Sequence, residues 1–205
     1  MEPVREFYEG VWTGLPEDPE PWAWRRRRAL LLREARPGER VLDLGCGAGR
    51  FLAALREAGA DPVGVELADA ALERARRNVP GADFRLLAPD GSIPLRHGEA
   101  DLVWCSEVLE HVPDTISLLT EIRRVLRPEG RVLLTVPDHG RLKRTLIALA
   151  HYDAHYDPQG EHLRFYTRRS LTRALRATGF ADVGLRPLGG PPLLRQAIAA
   201  RAIRG

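Results

Sequence analysis

The chain has 205 residues, 44% of them hydrophobic and 29% charged, with a formal net charge of +3; it is long enough for one sizeable core, ordinary in composition, and too weakly basic to point to nucleic acid. No stretch approaches the roughly 18–20 apolar residues of a membrane span, and two cysteines, Cys46 and Cys105, make neither a disulfide framework nor a zinc spacing. The opening MEPVREFYEG lacks a basic segment followed by an apolar one, so a cytoplasmic protein with reduced thiols is expected.

Residues 1–21, rich in Pro, Glu and aromatics, read as an irregular arm. Residues 22–36, WAWRRRRALLLREAR, read as a helix stopped by Pro37-Gly38. Strand and helix patterns then alternate. Arg40–Leu44 is a short apolar strand. Arg50–Ala58 is a helix with Phe51, Leu52 and Leu55 on one face and Gly59 as its stop. Pro62–Glu66 is a second strand, Ala68–Val79 a helix, and Asp83–Leu87 and Asp101–Cys105 the third and fourth strands. Asp114–Leu126 is a helix with a stripe of Leu118, Leu119, Ile122, Val125 and Leu126, ended by Pro128 and Gly130. Arg131–Val136 is an almost continuous apolar run, as a strand buried on both faces should be. Residues 138–166 interrupt the alternation with a short helix, Leu142–Ala150, and the stretch HYDAHYDPQGEHLRFY, the kind of long excursion that serves as a lid or binding loop. The helix Thr167–Thr178 and the strand Ala181–Pro187 follow. The tail Leu193–Ile203 suits a helix by its alanines and a final strand by its position.

This alternation predicts an α/β fold over residues 1–205, a doubly wound, mostly parallel sheet with helices on both faces. In such a sheet the site lies beyond the carboxyl ends of the strands, where strand order reverses. The first strand runs there into Asp43-Leu44-Gly45-Cys46-Gly47-Ala48-Gly49. Glycines let backbone turn sharply and approach a ligand. Glu66 ends the second strand, where an acid can hold two ribose hydroxyls. A pyrophosphate fingerprint would need a third glycine where Arg50 stands, and Asp43 would repel a diphosphate; both disfavour a nicotinamide dehydrogenase.

These residues resemble the class I, Rossmann-like S-adenosylmethionine-dependent methyltransferases, in particular the methyltransferase type 11 group that includes ubiquinone and menaquinone methyltransferases. The matching stretches are VLDLGCGAGRF (Val41–Phe51), VGVELADAAL (Val63–Leu72), DGSIPL (Asp90–Leu95), ADLVWCSEVLEHVPD (Ala100–Asp114), RPEGRVLLTVPD (Arg127–Asp138) and HLRFYTRRSLTRALRATGF (His162–Phe180). The resemblance implies a seven-stranded sheet in the order 3-2-1-4-5-7-6, strand 7 antiparallel and supplied by the tail after Pro192, with S-adenosyl-L-methionine as cofactor. It implies that Gly45, Cys46, Gly47 and Gly49 cradle the methionine part of the cofactor beside Asp43. It places Glu66 on the ribose, Leu67 on the adenine, Asp90 on the adenine amino group with Gly91 next to it, and Cys105 and Ser106 against the cofactor at the end of strand 4. The family's Asp before a Leu-Pro pair is shifted here to APDGSIPL, which loosens the assignment of Asp90.

A small-molecule methyl acceptor is expected. Where it must lose a proton, the candidates are Glu107, Glu110 and His111 in SEVLEHV and His139, His151, His155 and His162 in the excursion; His111, Glu107, His155 and His162 are the favoured catalytic residues. Cys105–Val108 lack the Asn/Asp-Pro-Pro-aromatic signature of nucleobase-amine and protein-glutamine methyltransferases. In some quinone O-methyltransferases the Glu-x-x-Glu-His segment holds a divalent metal, as Glu107, Glu110 and His111 could from one helix face; packing under the cofactor without metal is the favoured alternative. Phe7, Tyr8, Trp12, Trp22 and Trp24 suit either a cover over the cleft or packing at the sheet edge. Arg25–Arg28 suit RNA or an anionic membrane surface, or, more simply, a helix that buries leucines and exposes arginines; neither nucleic acid nor stable membrane insertion is expected, and a homodimer is open. The alternatives to a small-molecule enzyme are an RNA or protein methyltransferase and a cofactor-binding protein without turnover.

Overall fold

The computed structural model describes residues 2–17, 19–138, 140–150, 163–191 and 195–205. Its centre is a seven-stranded sheet in the order β3-β2-β1-β4-β5-β7-β6, with β1 Arg40–Leu44, β2 Asp61–Glu66, β3 Asp83–Leu86, β4 Ala100–Ser106, β5 Leu126–Pro137, β6 Phe180–Leu188 and β7 Ala197–Arg204. The pairs within β3-β2-β1-β4-β5 are parallel, and β7 runs antiparallel to both β5 and β6. The helices are α1 Glu2–Gly14, α2 Trp24–Glu34, α3 Arg50–Glu57, α4 Asp69–Asn78, α5 Thr115–Val125, α6 Arg141–Ala150 and α7 Arg168–Ala177, with a 3₁₀ turn at Leu109–His111. The fold is the doubly wound one expected, and strand order reverses between β1 and β4.

Side chains alternate across each strand, and two buried clusters show it. Leu42, Leu44, Val103, Cys105, Val132 and Leu134 pack with α5 and α7 on one face. Val41, Leu102, Trp104 and Leu133 pack with Leu31 of α2 and Phe51 and Leu55 of α3 on the other. By the same alternation Asp43, Ser106 and Thr135 belong to the α2 face, at neighbouring carboxyl ends of β1, β4 and β5; Ser106 is the register partner of Thr135. Three polar side chains thus stand where the apolar layer stops.

The structure corrects three expectations. Residues 1–21 are not an irregular arm, because Glu2–Gly14 is helical. Val4, Tyr8, Val11 and Trp12 follow helical spacing and, with Leu15 just beyond, face the mouth of the sheet. The helix from Asp114 ends at Val125, before Pro128 and Gly130, because Leu126 already pairs with Ala100 and opens β5. Arg25–Arg28 are not all exposed: Arg27 is 5% exposed, turned under α2 beside Leu31. The tail resolves as the strand β7 between β5 and β6, where buried Ala197, Ala199, Ala200 and Ala202 supply the small side chains that a central strand can accommodate. Tertiary pairing there overrides the helix preference of alanine.

Candidate functional site

The glycine turn is built on β1 and held to β2. The Gly45 and Cys46 N–H groups donate to the Val65 carbonyl, at 2.8 and 3.2 Å. Gly45 (φ 75°) and Gly47 (φ 52°) lie in the left-handed region, where a side chain is strained. Space forbids one as well: a Cβ on Gly45 would stand 2.5 Å from Val108 Cγ2, and one on Gly47 would stand 2.8 Å from the Trp12 ring. Gly49 caps α3. Cys46 is buried within the turn, and burial pushes its thiol well above the ordinary range, so its thiolate is out of reach at neutral pH.

Two carboxyl groups frame this turn. Asp43 is 1% exposed, and its Oδ2 has no hydrogen-bond partner among the described residues. Burial first, and then the nearby Glu66, push Asp43 up to about 7, against the opposing pull of Arg27. Glu66 accepts from Gly47 N (3.0 Å) through Oε2 and from Leu67 N (2.6 Å) and Ala68 N (3.4 Å) through Oε1. Burial raises Glu66 too, and those backbone N–H groups pull the other way.

Beyond the carboxyl ends of β1, β2 and β4 lies a cavity of about 670 Å³, reached by Gly45, Glu66, Leu67, Asp90, Gly91, Glu107 and His111. A second space of about 250 Å³ lies against Cys46, Gly47, Arg27, Trp104 and Ser106, and Trp12 borders both. Asp90 sits in an exposed turn at the cavity rim, where its Oδ1 accepts from Ser92 N and Ser92 Oγ at 2.9 and 2.7 Å. Cys105 is fully buried on the opposite face of the sheet from Ser106 and borders neither space. Of the two residues expected at the end of β4, the structure therefore brings only Ser106 to the site.

Helix α1 roofs this region. Glu9 accepts from the backbone N–H groups of Asp69 and Ala70 and so caps α4 from outside. Arg5 donates to the Leu87 carbonyl (2.9 Å), Arg74 of α4 donates to the carbonyls of Leu15 and Pro16, and the Tyr8 ring meets the His111 ring edge-on at 5.8 Å. Tyr8 and Trp12 line the cavity, in keeping with the cover reading of the N-terminal aromatics; the helical form of that segment and the parts played by Glu9, Arg27 and Thr135 were not read from the sequence. The spacing of Val4, Tyr8, Val11 and Trp12 was the available signal for the helix; nothing in one sequence distinguishes Arg27 from its three arginine neighbours.

Past β4 the chain turns sharply. Glu107 has φ 57°, a left-handed conformation that non-glycine residues seldom adopt. Its N–H donates to the Thr135 carbonyl (3.0 Å), and its Oε1 accepts from the Thr135 hydroxyl (2.7 Å). Glu110 is 1% exposed, and neither carboxyl oxygen has a hydrogen-bond partner among the described residues. Burial and the adjacent Glu107 push Glu110 up to about 9. His111 lines the cavity, its Nε2 3.9 Å from Glu110 Oε1. Because Leu109–His111 is a 3₁₀ turn, the spacing of Glu107, Glu110 and His111 does not place them on one α-helical face, and no three metal-ligating side chains gather among the described residues. His139, His151, His155 and His162 lie outside the described residues.

The features present fit a cationic nucleoside better than a diphosphate. An orphaned, buried carboxyl oxygen of Asp43 stands at the foot of the turn, and a second carboxylate, Glu66, is bonded to the turn's own backbone at Gly47, where a diphosphate would be repelled.

Residues 20–185 match the family described as "Methyltransferase domain". A curated relative from Methylococcus capsulatus, "Ubiquinone biosynthesis O-methyltransferase", is 32% identical over 78% of this chain and 70% of its own. Among solved structures, an S-adenosylmethionine-dependent methyltransferase of Thermotoga maritima, titled a possible histamine N-methyltransferase, superposes with TM-score 0.71 at 20% identity, over 98% of this chain and 100% of that one. Phosphoethanolamine N-methyltransferase 2 of Haemonchus contortus, bound to S-adenosyl-L-methionine, superposes with TM-score 0.75 at 18% identity, over 98% of this chain and 60% of that one. The chain belongs to the methyltransferase-domain family, and it is an S-adenosylmethionine-dependent methyltransferase.

Proposed function

We propose that this methyltransferase acts on a small molecule and methylates a hydroxyl group of it. The observation that carries this reading is the roofed cavity of about 670 Å³, within the roughly 300–1,000 Å³ of small-ligand sites. A tRNA or a folded protein would have to displace α1 to reach the same strand ends. Oxygen is favoured as the acceptor atom by the ubiquinone O-methyltransferase at 32% identity. No helix among the described residues is long and apolar enough to cross a membrane.

When bound, the cofactor supplies a sulfonium methyl group to a nucleophile in an in-line displacement. In our reading Asp43 faces the cofactor's cationic end, the Gly45–Gly49 backbone follows its aminoacyl chain, and Arg27, bordering the smaller space, balances its carboxylate. Glu66 receives the ribose hydroxyls on the lone pairs left after three backbone bonds. Leu67 packs on the adenine, and the Asp90-Gly91 turn reaches its amino group. The roof, with Tyr8, Trp12 and Leu15, excludes water and aligns the acceptor, which is the main demand of a reaction with so good a leaving group. Glu107 and His111 are among the protic groups that line the cavity, and in our reading they face the acceptor.

Calorimetry with adenosylhomocysteine for cofactor binding, and a panel of phenols, alkylamines, RNA and protein read as adenosylhomocysteine formed from adenosylmethionine, test this. Turnover with phenols supports the reading. Cofactor binding with turnover only on RNA or protein would refute it.

A further inference from the structure

An ordered line of four side chains crosses the carboxyl ends of the sheet. The buried Arg27 donates to Ser106 Oγ through Nη2 (2.6 Å) and Nε (2.9 Å). Ser106 Oγ lies 2.6 Å from Thr135 Oγ1, and Thr135 Oγ1 lies 2.7 Å from Glu107 Oε1. The direction of every proton follows. A guanidinium only donates, so Ser106 accepts from Arg27 and turns its own hydrogen to Thr135. Thr135, having accepted, turns its hydrogen to Glu107, which can only accept in ionised form.

We propose that Ser106 and Thr135 are positioning residues that hold the Glu107 carboxylate toward the acceptor, with Glu107 receiving the hydroxyl proton as the methyl group arrives. This rests on the hydroxyl reading above. The bond from sulfur to methyl breaks, the bond from acceptor oxygen to methyl forms, and the acceptor's O–H proton passes to Glu107. The cofactor's positive charge and the carboxylate's negative charge disappear together, so the step balances without an outside base.

Three features mark the line as built for Glu107. Thr135 grips that residue twice, by its carbonyl on the backbone and its hydroxyl on the side chain. The left-handed backbone at Glu107 is a conformation that the surroundings must impose. Thr135 is fully buried, where a valine would fill the same space without the hydroxyl. The charged or titratable groups around the line are Arg27 from α2, Asp43 from β1 and Glu110 from the 3₁₀ turn, with His111 beside Glu110. Arg27 brings a positive charge into direct contact with the line, and Glu110 lies protonated at neutral pH.

The test compares Thr135→Val, Thr135→Ser and Glu107→Gln in the full chain, with catechol as the probe acceptor and adenosylhomocysteine as the binding probe. Thr135→Val should lower kcat on the order of 10-fold, with KM for catechol and adenosylhomocysteine affinity nearly unchanged. It should also move the acid limb of the pH–rate profile to higher pH, and Thr135→Ser should restore both. Wild-type kcat and profile in Thr135→Val, or a serine variant as impaired as the valine one, would overturn the proposal. If the wild type binds adenosylhomocysteine but never methylates catechol, the hydroxyl reading falls separately. The line is then read by carbon-13 NMR of glutamate carboxyls, with the Glu107 signal assigned by its loss in Glu107→Gln. That signal should move in Thr135→Val and stay in Thr135→Ser, and an unmoved signal overturns the line itself.

Discussion

Asp43→Asn should remove a pH dependence that the wild-type protein carries through neutrality. Asp43 is buried and held at about 7 in the folded chain, against an ordinary value of 3.8. The sign follows from linkage. Between those two values the folded state binds more protons than the unfolded state, so stability falls as pH rises, and the loss levels off above the folded value. From about pH 5.5 to 8.5 the two titrations leave a loss of about 2 kcal/mol. For a chain of this length that is roughly 4–8 °C in Tm. Glu110 tilts the wild-type curve in the same direction, so the quantity to read is the difference between wild type and Asp43→Asn, by calorimetry across this range without cofactor. The asparagine variant should gain on the wild type as pH rises. Adenosylmethionine should reverse the trend, because a cation beside Asp43 favours the ionised form. At about pH 6 only about a tenth of Asp43 is ionised, so cofactor affinity should be about tenfold weaker there than in alkaline solution, and flat with pH in the variant. Parallel Tm curves for the two proteins would refute the claim that burial holds this proton.

Glu110→Gln should flatten the alkaline side of the stability curve. A carboxyl held at about 9 and ordinarily near 4.5 weakens the fold progressively as pH climbs between those values. The variant should therefore gain on the order of 2 kcal/mol over the wild type between about pH 7 and 9, read as Tm. Gly47→Ala should weaken adenosylhomocysteine binding, since it adds roughly 1–2 kcal/mol of left-handed strain and drives a Cβ to within 2.8 Å of the Trp12 ring. Gly47→Ala combined with Trp12→Ala should recover only the steric part, measured by calorimetry. Glu9→Ala should cost about 1 kcal/mol by uncapping α4 and should speed amide exchange at Asp69 and Ala70, whose N–H groups it now holds.

Strand ends and the glycine turn were legible because local rules govern them. Arg40–Leu44 coincides with β1, and the tail after Pro192 became the antiparallel strand that the family resemblance implied. Glycines at 45 and 47 have no substitute where φ is positive and neighbouring side chains stand within 3 Å. What stayed hidden depends on distance in sequence. Residues 1–21 looked irregular because their prolines and acids dilute the apolar spacing, and the reward for folding α1 comes from α4 and the strand ends, some 60 residues on. Arg27 looked like one of four surface arginines; only α2's docking over Ser106, 79 positions away, makes it a buried one. Thr135 lay inside an apolar run and read as a strand filler.

Arg27 is surrounded by Asp43, Glu107 and Glu110. Burying one cation among three ionised carboxylates would leave a net charge of −2 in a water-poor site, which a fold cannot sustain without compensation. Two of the three carboxyls are pushed upward, Asp43 to about 7 and Glu110 to about 9, so near neutrality the cluster sheds most of that excess by keeping protons. A cationic cofactor changes the balance at one member only. Asp43 stands at the glycine turn and is the group with the lower barrier to ionisation, about 7 against about 9 for Glu110, so it can give up its proton and pair with the incoming charge while Glu110 stays neutral. Below about pH 7 the free protein thus holds Asp43 mostly neutral, and binding should release a proton at about pH 6.5 and release almost none at about pH 9, where Asp43 is already ionised. Calorimetry in buffers of different ionisation enthalpy measures that release directly; equal release at both pH values would place the coupled proton on some other group.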